Sequence, residues 1–125
     1  MAFLEKKRFF SIILFFLVAV EIFFISSIQG SKAPAGIRFV PIVYHFCVFF
    51  LFNFFLFFAT KENAKTNGFH ILIVFLFSLI YAIADELHQH FVPLRSTSVE
   101  DFLIDAIGIG SSMIIAVFIS RKSNP

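Results

Sequence analysis

The chain is organised as long apolar runs separated by short polar connectors. Four runs are each about 20 residues long, which is the length that an α-helix needs to cross the hydrocarbon core of a bilayer. They cover Phe9–Ile28, Phe39–Thr60, Phe69–His88 and Asp101–Ser120. Lipid offers no hydrogen-bond partners to an open strand edge, so helices are the expected structure of such runs. The pattern therefore predicts an all-α bundle of four transmembrane helices.

Two prolines refine the helix boundaries. Pro41 suits the first turn of the second helix, where its missing N–H group removes no hydrogen bond. Pro93 predicts that the third helix ends near Phe91, because a proline disfavours helical geometry at the residue before it. With no internal repeat and no low-complexity linker, we expect a single domain over residues 1–125.

The first run has a second interpretation, as a signal peptide. A basic segment, Lys6 to Arg8, precedes it, and Ala33-Pro34-Ala35 follows it. The apolar core of a cleaved signal peptide is usually about 7–15 residues long. This run is longer, so we expect a retained helix.

Composition supports the membrane interpretation and excludes other classes. The 125 residues are 59% hydrophobic and 14% charged, which is more apolar side chain than a soluble domain of this size can bury. No basic face interleaved with aromatic residues is present, so nucleic acid is not an expected partner. Cys47 is the only cysteine, which rules out an intramolecular disulfide and a cysteine metal cluster.

The basic residues predict an orientation. The segments that flank the four runs on one side of the membrane contain seven lysines and arginines, and those on the other side contain three. The larger set is Lys6, Lys7, Arg8, Lys61, Lys65, Arg121 and Lys122, and the smaller set is Lys32, Arg38 and Arg95. Because the flanks richer in Lys and Arg stay in the cytoplasm, we expect both termini to be cytoplasmic. The segment that joins the third and fourth helices then faces outward.

Polar residues inside the spans share one depth. At 1.5 Å per residue, Glu21 lies roughly 10 Å, His45 roughly 9 Å and Asp105 roughly 6 Å inside the outer ends of their helices. The last outer turns of the third helix contain Asp85, Glu86 and Gln89. Charged groups in a membrane usually face a bundle interior or a wet cavity, so this pattern predicts an outward-facing polar pocket.

Helical spacing also puts these groups on shared faces. One stripe consists of Ser78, Ala82, Asp85 and Gln89, and another of Asp101, Asp105, Gly108 and Ser112. Small residues in the second stripe allow close approach of another helix. We therefore expect both stripes to face the bundle interior.

The polar cluster allows three chemistries, and spacing alone does not choose among them. Buried carboxyls could perform general acid–base catalysis. They could bind a divalent cation, with His45 as a nitrogen ligand. They could hold Arg95 in place to clamp a phosphate or carboxylate. Glu100 and Asp101 also have a purely structural interpretation, since Thr97 and Ser98 each begin a capping-box pattern. No cofactor is indicated.

The stretch DELHQHFVPLRSTSVEDFLIDAIGIG, from Asp85 to Gly110, resembles the signature of the VanZ-like membrane protein family, which is named for a protein linked to teicoplanin resistance. The family pattern has an acidic residue before a glutamine, an arginine about six residues on, and an Asp–x3–Asn–x2–Gly segment. The matching positions are Glu86, Gln89, Arg95, Ser98, Asp101, Asp105 and Gly108. FISSIQG, from Phe24 to Gly30, resembles the usual end of the family's first helix, and His45 resembles a histidine near the start of the second. Asp105 departs from the more common asparagine.

The resemblance implies a small multi-pass protein of the cell (inner) membrane that acts on or near cell-envelope precursors. The predicted core of its pocket is Glu86, Gln89, Arg95, Asp101 and Asp105, with Asp85, His45 and Glu21 as further candidates. Glu86, Asp101 and Asp105 are the catalytic candidates if the protein is an enzyme. The expected partners are membrane lipid and an anionic or lipid-linked envelope ligand. The alternatives are a structural protein whose acids only stabilise helix packing, and a membrane enzyme.

Overall fold

A computed structural model describes residues 2–30, 39–62 and 66–123. This part of the chain contains four α-helices and no strand. They are α1 (Ala2–Ser27), α2 (Phe39–Thr60), α3 (Gly68–His90) and α4 (Val99–Ser123). Each is long and apolar enough to cross a membrane. The predicted all-α bundle of a multi-pass membrane protein is therefore confirmed.

The helices extend furthest beyond the apolar runs at the start of α1 and at the end of α4. α1 begins at Ala2 and α4 continues to Ser123, because lysine, arginine and glutamate are good helix formers and prolong a helix into the polar flank. Asn67 caps the start of α3 by accepting a hydrogen bond from the His70 amide at 2.7 Å. Phe91 is the C-cap of α3, as Pro93 predicts.

α2 is the central helix and contacts the other three, while α3 also packs against α1 and α4. The apolar core of the bundle includes Phe49, Phe52 and Phe57 of α2, which are fully buried. Gly108 gives α4 its close approach to α2. A Cβ atom at this position would lie 2.6 Å from the Phe46 carbonyl oxygen, so the two backbones pack at a distance that only glycine permits.

A buried polar layer crosses the middle of the bundle. Asn53 donates to the Ser112 hydroxyl at 3.2 Å and accepts from the Ser78 hydroxyl at 2.9 Å. All three side chains are fully buried. The layer joins α2, α3 and α4 through satisfied hydrogen bonds, which stabilise helix contacts in lipid.

The outward faces of the helices are strongly apolar. Phe16, Phe24, Ile80 and Ile114 are each at least 60% exposed, and many other large apolar side chains are exposed beside them. A surface of this kind suits contact with lipid chains. It accounts for the hydrophobic fraction of 59% without a large interior.

The two ends of the bundle differ. We use the term polar end for the end where α1 and α3 finish and α2 and α4 begin. At the opposite end Arg8 donates to the Ala59 carbonyl at 3.1 Å, and Lys61 donates to the Ser120 hydroxyl. Burial lowers the pKa of Lys61, because desolvation disfavours its ammonium form.

The orientation of the two ends relative to the membrane stays a prediction. Three of the basic residues used for it, Lys32, Arg38 and Lys65, lie outside the described residues, as does Ala33-Pro34-Ala35.

Candidate functional site

The stripe on α3 faces the interior, as its spacing predicts. Ser78, Ala82, Asp85 and Gln89 are all buried. On α4, Asp105, Gly108 and Ser112 are buried, while Asp101 in the first turn is partly buried. The two helices thus bring carboxyl groups toward α1 and α2 at the polar end.

Asp85 lies in a satisfied hydrogen-bond network. The Ser26 hydroxyl donates to its Oδ1 atom, and the Gln89 amide donates to its Oδ2 atom at 2.8 Å. The same amide lies 3.4 Å from the Ser26 hydroxyl. Both carboxylate oxygens therefore have donors, and the network joins α1 to α3.

Asp105 is paired only on one side. Its Oδ1 atom lies 2.9 Å from Nδ1 of His45, which links α4 to α2. The side chain of Asp105 is fully buried. Its Oδ2 atom has no hydrogen-bond partner among the described residues. A buried carboxylate oxygen without a donor is unfavourable, so a donor or a cation beside this atom would stabilise it.

Glu86 is adjacent to Asp85 in sequence but has a different environment. Both of its carboxylate oxygens are buried, and neither has a partner within the described part of the chain. The charges of Asp101, Asp105 and Asp85 act on this carboxyl group, and within the described part of the chain His45 acts in the opposite sense. The surroundings of Glu86 are therefore predominantly acidic.

The two carboxyl groups with unpartnered oxygens lie close to each other and to His45. His45, Glu86 and Asp105 each offer one ligand atom, and these atoms all lie within 4.8 Å of one another. One ring nitrogen and two carboxylate oxygens in this arrangement are able to hold a metal ion.

The loop between α3 and α4 is fixed against the end of α1. The Gly30 amide donates to the Pro93 carbonyl at 3.3 Å. A Cβ atom on Gly30 would lie only 1.9 Å from the Leu94 carbonyl oxygen, so no larger residue fits there. Leu94 itself has a φ of 61°, a left-handed conformation that is strained for a leucine. These contacts fix the backbone that precedes Arg95.

Arg95 is the arginine that the described residues place at the polar end. Its Nε atom is buried and has no acceptor among residues 2–30, 39–62 and 66–123. The Tyr44 hydroxyl is likewise buried and unpartnered there.

A groove runs between α3 and α4 beside these groups. Its volume is about 490 Å³, and it is open on one side. It is lined by Ile83, Glu86, Leu87, His90, Thr97, Ser98, Val99 and Phe102. The groove thus combines an apolar wall with polar groups near the loop.

Two of the predicted acids lie at the margin of the cluster. The Glu21 side chain is exposed, so the structure does not bring it into the buried network. The Asp101 amide donates to the Ser98 hydroxyl at 3.1 Å, which makes Ser98 the cap of α4. Glu100, the other capping candidate, is exposed.

The profile of the family described as VanZ/LLP1 matches residues 1–120. The chain belongs to the VanZ/LLP1 family. The match covers all of α1, α2 and α3 and α4 as far as Ser120, so it includes the whole polar end. Neither a curated protein nor a solved structure matches the chain.

Sequence reasoning did not single out two residues of this VanZ/LLP1 site. Ser26 lies within FISSIQG but is given no role of its own by the sequence, and neither is Tyr44. In the structure Val18, Ile22 and Ser26 are buried at a spacing of four residues, on one face of α1. The sequence does not reveal this face, because α1 is apolar on most of its sides.

The polar end of this VanZ/LLP1 chain thus contains two kinds of polar group. Ser26, Asp85 and Gln89 satisfy one another and connect helices. The buried atoms without partners belong to Tyr44, Glu86, Arg95 and Asp105. The second kind is the better candidate for binding, because a ligand would supply the missing partners.

Proposed function

We propose that the polar end binds the anionic head group of a lipid-linked cell-envelope ligand at the cell (inner) membrane, and that Arg95 supplies the positive charge. One observation carries this proposal. The Arg95 Nε atom is buried without an acceptor in the described part of the chain. A guanidinium binds phosphate or carboxylate through parallel hydrogen bonds, so such a group would satisfy it.

The groove between α3 and α4 supports an amphiphilic ligand. Ile83, Leu87 and Phe102 form an apolar wall, whereas Thr97 and Ser98 lie close to the loop that carries Arg95. An acyl or polyprenyl chain would occupy the apolar part, with its head group toward the loop. This arrangement matches the usual character of ligand sites, which combine apolar surface with a few placed polar groups.

Glu86 and Asp101 have supporting roles in this proposal. They orient Arg95 or transfer protons at the head group. The unpartnered Glu86 carboxyl favours a second candidate function, a membrane enzyme in which this group is a general acid or base. Turnover that disappears in Glu86→Gln while ligand binding persists would identify the enzyme.

The first test measures binding of a polyprenyl phosphate to the purified protein in detergent, with the uncharged polyprenol as the ligand control. Arg95→Gln removes a charge-assisted contact worth about 1.5–3 kcal/mol, so we expect affinity to fall by roughly 10–150-fold. Arg121→Gln removes the same charge at the opposite end of the bundle, and we expect it to bind like wild type.

Teicoplanin susceptibility of a sensitive Gram-positive host gives a second readout for the same variants at matched membrane levels. We expect wild type to protect the cells and Arg95→Gln and Glu86→Gln to fail. Equal phosphate binding by wild type and Arg95→Gln would contradict the proposed clamp. Equal losses of thermal stability and binding in Arg95→Gln would instead indicate a structural role.

A further inference from the structure

We propose that His45, Glu86 and Asp105 form a binding site for one divalent transition metal ion, with zinc as the best-fitting ion. This site shares Glu86 with the proposed head-group site, but Arg95 is not one of its ligands, and metal binding goes beyond recognition of an anionic head group. It joins α2, α3 and α4 at the polar end.

The ligand atoms are close enough to share an ion. They lie within 4.8 Å of one another. Bonds of about 2.0–2.2 Å to zinc place two ligand atoms of one ion no more than about 4.4 Å apart, so only small side-chain movements are required. His45 Nδ1 and Asp105 Oδ1 are 2.9 Å apart and share a hydrogen bond, so an ion would displace the shared proton and move these two atoms slightly apart.

Burial provides a second and independent observation. Asp105 is fully buried, and its Oδ2 atom has no hydrogen-bond partner among the described residues. Both oxygens of Glu86 are buried and unpartnered in the same sense. A buried carboxylate needs a cation, a proton or donors to offset the loss of hydration. A cation between Glu86 and Asp105 would satisfy these atoms together.

The charge distribution also favours a cation. Asp85 and Asp101 add to the negative potential at Glu86, and among the described residues His45 opposes it. Asp85 does not belong to the proposed ligand set, because Ser26 and Gln89 already donate to its two oxygens. Three protein ligands therefore remain, which is the number that catalytic zinc sites use while keeping one position open.

The donor set selects the class of ion. Magnesium and calcium prefer sites built from oxygen ligands. An imidazole nitrogen with two carboxylate oxygens suits zinc, with manganese as the next candidate. The partly buried position of Glu86 beside the open groove gives an ion a path to the site.

Isothermal titration of the chelator-treated full chain in detergent with Zn²⁺ tests the proposal. We expect one ion per chain and weaker binding of Mg²⁺ and Ca²⁺. Glu86→Gln and Asp105→Asn should each lower zinc affinity by about 10–100-fold or more. Glu100→Gln makes the same chemical change at an exposed position on α4 and should leave zinc affinity unchanged.

Co²⁺ provides a spectroscopic readout, because its visible absorption reports coordination by nitrogen and oxygen ligands. We expect wild type and Arg95→Gln to give the same cobalt spectrum, which would separate this site from head-group binding. Circular dichroism verifies that each variant is helical, and Glu86→Gln decides the matter if Asp105→Asn fails to fold. The proposal is overturned if wild type binds no zinc saturably, or if Glu86→Gln binds it as well as Glu100→Gln.

Discussion

Asp85 and Glu86 are consecutive acids with different environments. Adjacent residues of a helix point about 100° apart. This rotation directs Asp85 to Ser26 of α1, and it directs Glu86 toward the acids of α4 and His45 of α2. The first carboxylate is fully hydrogen-bonded and the second has no donor among the described residues. Asp85 is therefore a structural residue, and Glu86 is a candidate for binding.

The structural role of Asp85 is testable through its donor. Ser26→Ala leaves the Oδ1 atom of Asp85 without the serine hydroxyl in a buried position. We expect the free energy of unfolding to fall by about 1–3 kcal/mol, measured by denaturation in detergent. Ser27→Ala is the matched control. Its hydroxyl is exposed and bonds His88 at 2.9 Å, so its effect should be smaller. Equal effects of the two substitutions would contradict the structural role of the network.

At the scale of helices, the closest contact is the one between α2 and α4. Gly108 faces the Phe46 carbonyl oxygen, whereas Gly110 has nothing within 4 Å of the position that a Cβ atom would take. Gly108 therefore packs against the backbone of α2, whereas Gly110 does not. The contact brings Asp105 on the same helix to His45.

Gly108→Ala should separate α2 from α4 and lower thermal stability. Overpacking of a tight contact usually costs about 1–3 kcal/mol. Gly110→Ala should leave stability unchanged or raise it slightly, because alanine is the better helix former. Thermal unfolding monitored by circular dichroism compares them. A Gly108→Ala protein as stable as Gly110→Ala would mean that the helices do not pack this closely.

The sequence predicted the helices better than it predicted which faces of the helices contact one another. Lipid requires a continuous apolar run, so the four spans were evident from hydropathy. Depth also followed from counting residues. The rotation of each helix about its axis could not be predicted in this way, and Glu21 illustrates why. It shares the depth of the other acids, but Ile22 and Ser26 occupy the buried face of α1 while Glu21 is exposed. The pairing of His45 with Asp105 likewise depended on how two helices turn toward each other.

At the scale of the molecule, large apolar side chains cover the outside, where a soluble bundle would be polar. The interior combines an apolar core with a polar layer at Asn53 and the polar end. In this arrangement the orientation of the bundle decides which compartment the unsatisfied groups can reach.

Labelling of intact cells with a membrane-impermeant maleimide tests the predicted orientation. In a Cys47→Ala background, Ser96→Cys at the polar end should react, and Ser123→Cys at the opposite end should react only after lysis. Both positions are exposed. The expectation follows from the excess of basic residues on the flanks of the opposite end. The reverse pattern of labelling would place the polar end in the cytoplasm.

Three buried hydrogen bonds join α1 to α3 or α2 to α4, and each spans a similar length of chain. Ser26 and Asp85 are 59 residues apart, His45 and Asp105 are 60, and Asn53 and Ser112 are 59. A ribosome adds roughly 5–20 residues per second, so Ser26, His45 and Asn53 each wait roughly 3–12 s for these partners. During biosynthesis the first half of the protein is therefore an incomplete hairpin in lipid, and its polar interior forms only when the second half is inserted beside it.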